Sequence, residues 1–504
     1  MTNPAHPLDP LTEAEIRQAA AILRRDRGVG PGWRFASIEL REPPKGELAD
    51  LETDPEARRE AIVVCWDRSD GEAYRAVVSL TDDNVGGWER LPGIQPNMTV
   101  DEWHECDEML RAHPAIAEAL ARRGITDMSL VLTDMWAYGA ALVPERYRGQ
   151  RIGWSDVWYR GSELGSPYAH HVTGLHPIVD LNSMTLLEIE DTPDITAQPE
   201  VMGEYLPELT GMPPREVKPL QITQPEGVGF TLDGHLLSWE NWRLRLGFNY
   251  REGLVLHQVA VRDGQRWRPV AHRFSFAEMF VPYRDATLDH YRRTAFDIGE
   301  WGLGFMTTSL ALGCDCLGEI AYLDAAVHDS RGEPRTIPNA ICIHEEDSGI
   351  LWKHVDERAG ATSRRARRLV VSFHVTVANY EYLVYWRFYQ DGNIECEVRA
   401  TGILVTSHFG EGGPPPTGTL VDQGTYAPFH QHFIVARLDL DVDGADNTVY
   451  VTDSRVSGDD PYGLGLVVDS TPLRTEAEGR QDYDWSTQRG WKVVNDNVRN
   501  GLGT

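Results

Sequence analysis

Hydrophobic and polar positions alternate along this chain in two periods, and the switches between them mark out its elements. Thr12-x-x-Glu15 is a capping-box pattern, and Ile16, Ala19, Ala20 and Leu23 follow at helical spacing until Gly28 supplies a stop. The pattern predicts one amphipathic helix. Three stretches rich in β-branched and aromatic residues come next, at 33–40, 61–67 and 73–80, separated by charged or glycine-containing turns. The same order then recurs. Thr99-x-x-Glu102 caps a second helical region ending near Gly124, and 130–138, 152–159 and 172–188 read as strands. Two small α+β modules in tandem, 1–94 and 95–191, are expected.

Between 192 and 227, Pro193, Pro199, Pro207, Pro213, Pro214, Pro219 and Pro225 interrupt every periodic pattern, which predicts a linker. From 228 to 504 strand follows strand, with Asp233-Gly234, Asp263-Gly264 and Asp391-Gly392 placed as hairpin turns. A large antiparallel β-sandwich is the natural outcome, so the expected class is α+β. The basic run 364–368 reads as a solvated loop before a strand that begins at Leu369.

Composition narrows what such a chain can do. With 41% hydrophobic residues in 504, it can bury real cores and is not disordered overall. Its 48 Lys+Arg against 77 Asp+Glu give a formal charge of -29, a field that repels nucleic acid and anionic membranes and favours cations. Acidity that merely keeps a protein soluble explains the same number. The four lysines, Lys45, Lys218, Lys353 and Lys492, leave few candidates for a Schiff base, so carbonyl chemistry has to come from elsewhere. Neither a signal peptide nor an apolar run of membrane-spanning length is visible, and a cytoplasmic protein with reduced cysteines is expected.

Candidate chemistry concentrates in the β region. His430-Gln431-His432 opens the stretch 429–443, and alternate residues of a strand share a face, so both imidazoles are expected to project the same way with Ile434, Ala436, Leu438, Leu440 and Val442. Inward imidazoles suit copper or zinc, and equally suit packed core histidines. Gly424 followed by the same histidine pair opens a cupin metal motif, but the glutamate that motif needs is replaced by Ala436 and Arg437. A zinc hydrolase would want a helical His-Glu-x-x-His, which the sequence lacks.

Asn379-Tyr380-Glu381-Tyr382 resembles the Asn-Tyr-Asp/Glu-Tyr signature of copper amine oxidases, in which bound copper and dioxygen oxidise the first tyrosine to topaquinone. The resemblance extends through 312–318 (Leu-Gly-Cys-Asp-Cys-Leu-Gly), 340–346 (Ala-Ile-Cys-Ile-His-Glu-Glu) and His430-x-His432, in matching order, and upstream through Gln95-Pro96-Asn97-Met98-Thr99. It implies that Tyr380 is the quinone precursor and that His430 and His432 are two of three copper ligands. Asp297 is similar to the catalytic base, Tyr283 to the tyrosine that hydrogen-bonds the quinone, and Ala295 to a residue lining the amine channel. Asn379 and Tyr382 resemble cofactor-orienting neighbours. Cys316 and Cys342 match the family's disulfide, and Asp439 and Asp441 half of a peripheral site for calcium or manganese.

The implied activity is oxidation of a primary amine by dioxygen to aldehyde, ammonia and hydrogen peroxide, in a homodimer. The family's third histidine ligand lies downstream of the first two, and no stretch matching it precedes Thr504. Two readings are therefore expected: an amine oxidase whose chain is C-terminally incomplete, or an inactive β-sandwich interaction protein. With two imidazoles alone, weak copper binding and an unmodified Tyr380 are expected.

Overall fold

Each predicted helix begins where its side chains can satisfy the first free amides. In the computed structural model, which describes residues 6–48, 58–192, 203–213, 215–410 and 412–503, α1 (Glu13–Arg27) is capped by Thr12, whose hydroxyl accepts from Glu15 N while the Glu15 carboxylate takes the Thr12 amide at 2.9 Å. Gly28 closes it in the left-handed conformation. Such a box contributes about 1 kcal/mol. Leu23, Ala20 and Ile16 of α1 then bury against Phe35, Val63 and Val78 of a four-stranded antiparallel sheet, β1 (Trp33–Leu40), β2 (Glu60–Asp67), β3 (Ala73–Ser79) and β4 (Asn84–Leu91). β4 was not foreseen: Gly86, Gly87 and charged residues dilute its pattern.

The second module repeats the plan. Thr99 and Glu102 form the expected capping box of α2 (Val100–Ala112), and Pro114 then starts a separate helix, α3 (Pro114–Ala121), because proline fits a first turn but not an interior. Its sheet runs β5 (Val131–Ala137), β6 (Ile152–Tyr159), β7 (His170–His171), β8 (Leu175–Asp180) and β9 (Thr185–Asp191). The single strand expected over 172–188 is thus two strands of a hairpin, turned where Met184 takes φ 51°. The predicted linker prolines Pro193, Pro199 and Pro214 lie outside the described residues. The observed class is the expected α+β.

The chain divides into two compact units, the first comprising 1–228, 247–254 and 276–436, the second 229–246, 255–275 and 437–504. In the second, the Asp-Gly turns sit where predicted, between β10 (Phe230–Asp233) and β11 (Leu236–Trp239) and between β13 (Gly253–Asp263) and β14 (Arg266–Pro282), with β12 (Trp242–Asn249) pairing β11. In the first, β14 ends against β15 (Thr294–Phe296), and a five-stranded meander follows: β16 (Ala321–His328), β17 (Pro334–Asp356), β18 (Gly360–Val377), β19 (Tyr380–Tyr389) and β20 (Ile394–Gly402). Residues 364–368 are not a loop. They lie within β18, held to β17 by Arg365–Asp347 and Arg368–Glu346 pairs, the acids that turn a basic run into a paired strand. Among the described residues no helix is long and apolar enough to cross a membrane.

Candidate active site

Tyr380 owes its place to a tight turn. The strand-like run 369–389 breaks into β18 and β19 at Ala378-Asn379, with Val377 paired to Tyr380 and Ala378 at φ 51°, a conformation that costs a non-glycine residue about 1–2 kcal/mol. Asn379 pins the turn: its Nδ2 donates to the Ile403 carbonyl at 2.6 Å and its own carbonyl accepts from Ile403 N at 2.7 Å. Gly402 faces Tyr380 across the ladder, and a side chain there would come within 2.5 Å of the Asn379 carbonyl, so glycine is required.

Tyr380 and Tyr382 share a face of β19, and two histidines meet them one for one. The Tyr380 hydroxyl lies 2.9 Å from His430 Nε2 and the Tyr382 hydroxyl 2.8 Å from His432 Nδ1. The imidazole rings are 5.1 Å apart, and Tyr283 stacks on His430 at 4.5 Å with its hydroxyl 3.4 Å from that of Tyr380. Both histidines therefore project to one side, as expected, but from another kind of backbone. His430 makes an isolated bridge to Tyr283, and the next strand, β21 (Phe433–Leu440), starts only at Phe433. Nor is its face an apolar interior: Ile434 and Leu438 are 37% and 54% exposed, and the histidines themselves are half-buried.

The donor chemistry fits a metal at two positions. His430 Nδ1 donates to the Pro428 carbonyl at 3.0 Å, which leaves the Nε2 lone pair for Tyr380 or a metal. His432 Nδ1 is taken up by the Tyr382 hydroxyl, so Nε2 is the nitrogen of that ring that can face a metal, in the tautomer protonated at Nδ1. Burial holds both imidazoles neutral, His432 down at about 4 with His430 adding to the effect. Among the described residues no group of three or more His, Cys, Asp and Glu is arranged to hold a metal, at this point or around Asp439 and Asp441.

Asp297 opens a single π-helical turn (Asp297–Trp301) directly after β15. It is 3% exposed, and burial, then the Glu278 charge, push its carboxyl up to about 7 against the Tyr382 hydroxyl. Asp297, Tyr283, Asn379, Tyr380, Tyr382 and the buried Ala295 all line one cavity of about 430 Å³, large enough for a small amine. Its outer wall brings in residues with no sequence signal: Trp103, Asp134, Trp136, Tyr168 and Trp301. Burial and neighbouring Asp156 lift Asp134 to about 7 as well. Cys316 and Cys342 share a small buried cluster with Leu310, but as free thiols; the expected disulfide is not formed here.

Residues 231–504 match the family model described as copper amine oxidase, enzyme domain, and upstream residues match an AGAO-like N2 domain (12–87) and a copper amine oxidase N3 domain (101–204). The chain is 43% identical over 499 residues to a primary amine oxidase of Arthrobacter sp. strain P1, covering 98% of this chain and 76% of that protein. A histamine oxidase of Arthrobacter globiformis is 38% identical over 99% of this chain and 73% of its own length. Among solved structures, a copper-containing benzylamine oxidase from Hansenula polymorpha superposes with a TM-score of 0.88 at 28% identity, over 99% of this chain and 80% of that one.

Proposed function

The chain belongs to the copper amine oxidase family, its activity is the oxidation of primary amines, and we propose that Tyr380, Asp297 and the His430–His432 pair carry that chemistry. The observation behind the reading is the matched contact of two tyrosines with two histidines, the tyrosines lining one cavity together with a buried carboxylate. The inactive interaction-protein reading is not favoured by this identity over nearly the whole chain.

His430 and His432 would hold copper through Nε2, with Nδ1 of each committed to a second partner. When bound, copper and the quinone made from Tyr380 supply the electron sink that takes two electrons from the amine and hands them to dioxygen. The chain's own residues do the rest. Asp297, desolvated and near neutrality in proton affinity, accepts the proton from the carbon that bears the amine. Tyr283 holds the oxygen of Tyr380 by a hydroxyl contact, Asn379 and Tyr382 fix the turn and the ring on either side, and Ala295 keeps the cavity open beside Asp297. The sum is amine, dioxygen and water going to aldehyde, ammonia and hydrogen peroxide.

Methylamine, histamine and benzylamine, the substrates in the names of relatives, are candidate substrates for a cavity of this size. A homodimer, a peripheral calcium or manganese at Asp439 and Asp441, and a cytoplasmic location complete the proposal, the last supported by six cysteines that are all free thiols. The test is to load a chain extended to supply the third histidine ligand with copper in air, add phenylhydrazine, and map the coloured adduct. It should fall on the peptide containing Tyr380 and vanish in Tyr380→Phe; an unmodified tyrosine in copper-loaded protein would remove Tyr380 from the role.

A further inference from the structure

The turn that presents Asp297 is held by a side chain doing the work of a strand. β14 and β15 pair Pro282 with Thr294, Val281 with Ala295 and Phe280 with Phe296, a register that, continued, would place Met279 opposite Asp297 and Glu278 opposite Ile298. The ladder stops there. Instead, Glu278 Oε1 accepts the amides of Ile298 at 3.0 Å and Gly299 at 3.1 Å, along with its own neighbour Met279 N at 2.9 Å. The approach is close: a Cβ on Gly299 would meet Glu278 Oε2 at 2.7 Å. Arg251 Nη2 stands 3.7 Å from Oε2 and is itself tied to the Ala277 carbonyl at 2.6 Å, so the carboxylate has a cation behind it and amides in front.

We propose that Glu278 is a positioning residue for the oxidation, holding the π-turn that carries Asp297 into the cavity and setting a negative charge behind that base. Two charge-assisted hydrogen bonds on one oxygen satisfy the Ile298 and Gly299 amides, which an isolated five-residue turn leaves without carbonyl partners. The charge has a second effect. The groups facing Asp297 are Glu278 from β14, Tyr382 from β19 and Glu300 from the turn itself, and of these Glu278 is the like charge that, after burial, raises the Asp297 carboxyl. One residue thereby couples where the base sits to how readily it takes a proton.

The inference rests on Asp297 being the base, and the variants separate the two claims. Glu278→Gln keeps an acceptor oxygen for the amides and removes the charge, whereas Glu278→Ala removes both. In copper-loaded protein with benzylamine as probe, Glu278→Gln should move the acid limb of kcat/KM to lower pH by about one unit. In protein without copper, hydrogen exchange of the 296–301 peptide should match wild type in Glu278→Gln and quicken at least about tenfold in Glu278→Ala. An unmoved acid limb in Glu278→Gln, or full protection in Glu278→Ala, overturns the role of Glu278 while an inactive Asp297→Asn leaves the base in place. Wild-type turnover in Asp297→Asn overturns both. Should Glu278→Ala fail to fold, the acid limb of Glu278→Gln decides alone.

Discussion

Two buried polar centres stand side by side in the first compact unit, built from similar residues and tuned in opposite directions. Around Tyr380, Asp297 is 3% exposed and its carboxyl is pushed up to about 7. A few residues upstream on the same connection, Arg293 lies over the Tyr283 ring and pairs with Asp156 of β6, which is fully buried. Burial pushes Asp156 up too, but Arg293, His171 and His176 outweigh it and bring the carboxyl down to about 2. His176 donates to Asp289 at 2.8 Å, and Ser407 bridges His171 and His290 at 3.0 and 2.8 Å. Equal burial with unlike partners separates the two. A carboxylate surrounded by cations and N–H donors is a fixed structural charge, whereas one facing another carboxylate and a cavity is held ready for a proton.

The comparison can be broken from either side. The largest effect is expected at the cavity: Asp297→Asn should lower kcat by about 10²–10⁴-fold while phenylhydrazine still labels Tyr380, because proton abstraction and cofactor formation use different groups. Kinetics and labelling on one preparation check this, and undiminished turnover would place the base elsewhere. At the paired centre the loss should be in stability. Asp156→Ala strands the buried Arg293 guanidinium and should cost about 3–5 kcal/mol in urea unfolding. A loss under about 1 kcal/mol would show that this centre, too, is loosely held.

A smaller effect sharpens the contrast through pH. The Asp156 carboxyl lies at about 2 in the fold, below its ordinary value near 3.8, so its stabilising contribution is complete above about pH 4 and is lost as pH falls towards 2. That contribution is about 2 kcal/mol. Asp297 has the opposite sign: its raised pKa costs stability as pH climbs from about 4 through about 7. Unfolding free energies of wild type and Asp297→Asn across pH 4 to 8 should therefore diverge, with the variant gaining on wild type as pH rises; parallel curves would remove the unpaired character assigned to Asp297.

Much of the fold could be read from neighbours along the chain. Thr12 with Glu15 and Thr99 with Glu102 are contacts across three residues, and both capping boxes form as their spacing dictates. The Asp-Gly turns at 233, 263 and 391 close the hairpins they were expected to close. The family motif carried the site residues, and Tyr380, Asp297, Ala295 and Tyr283 do line one cavity. Reading failed where a residue's state depends on a distant strand. The basic run at 364–368 is a strand because it pairs with β17, whose Asp347 and Glu346 offset its charge. The face shared by His430, Ile434 and Leu438 was expected to be an apolar interior, yet burial depends on what covers a face, which periodicity does not state.

The sequence by itself determined the helix starts, the tight turns and the alternation that puts Tyr380 with Tyr382 on a common face, because those follow from backbone geometry over two to four residues. Only the tertiary structure decided that these tyrosines meet His430 and His432, that Glu278 reaches the amides of Ile298 and Gly299, and that Asp156 is ionised while Asp297 is poised. Asp156 meets Arg293 across 137 residues and Ser407 meets His171 across 236. A carboxylate's proton affinity is set by the charges and water around it, and at those separations the chain order holds no record of either.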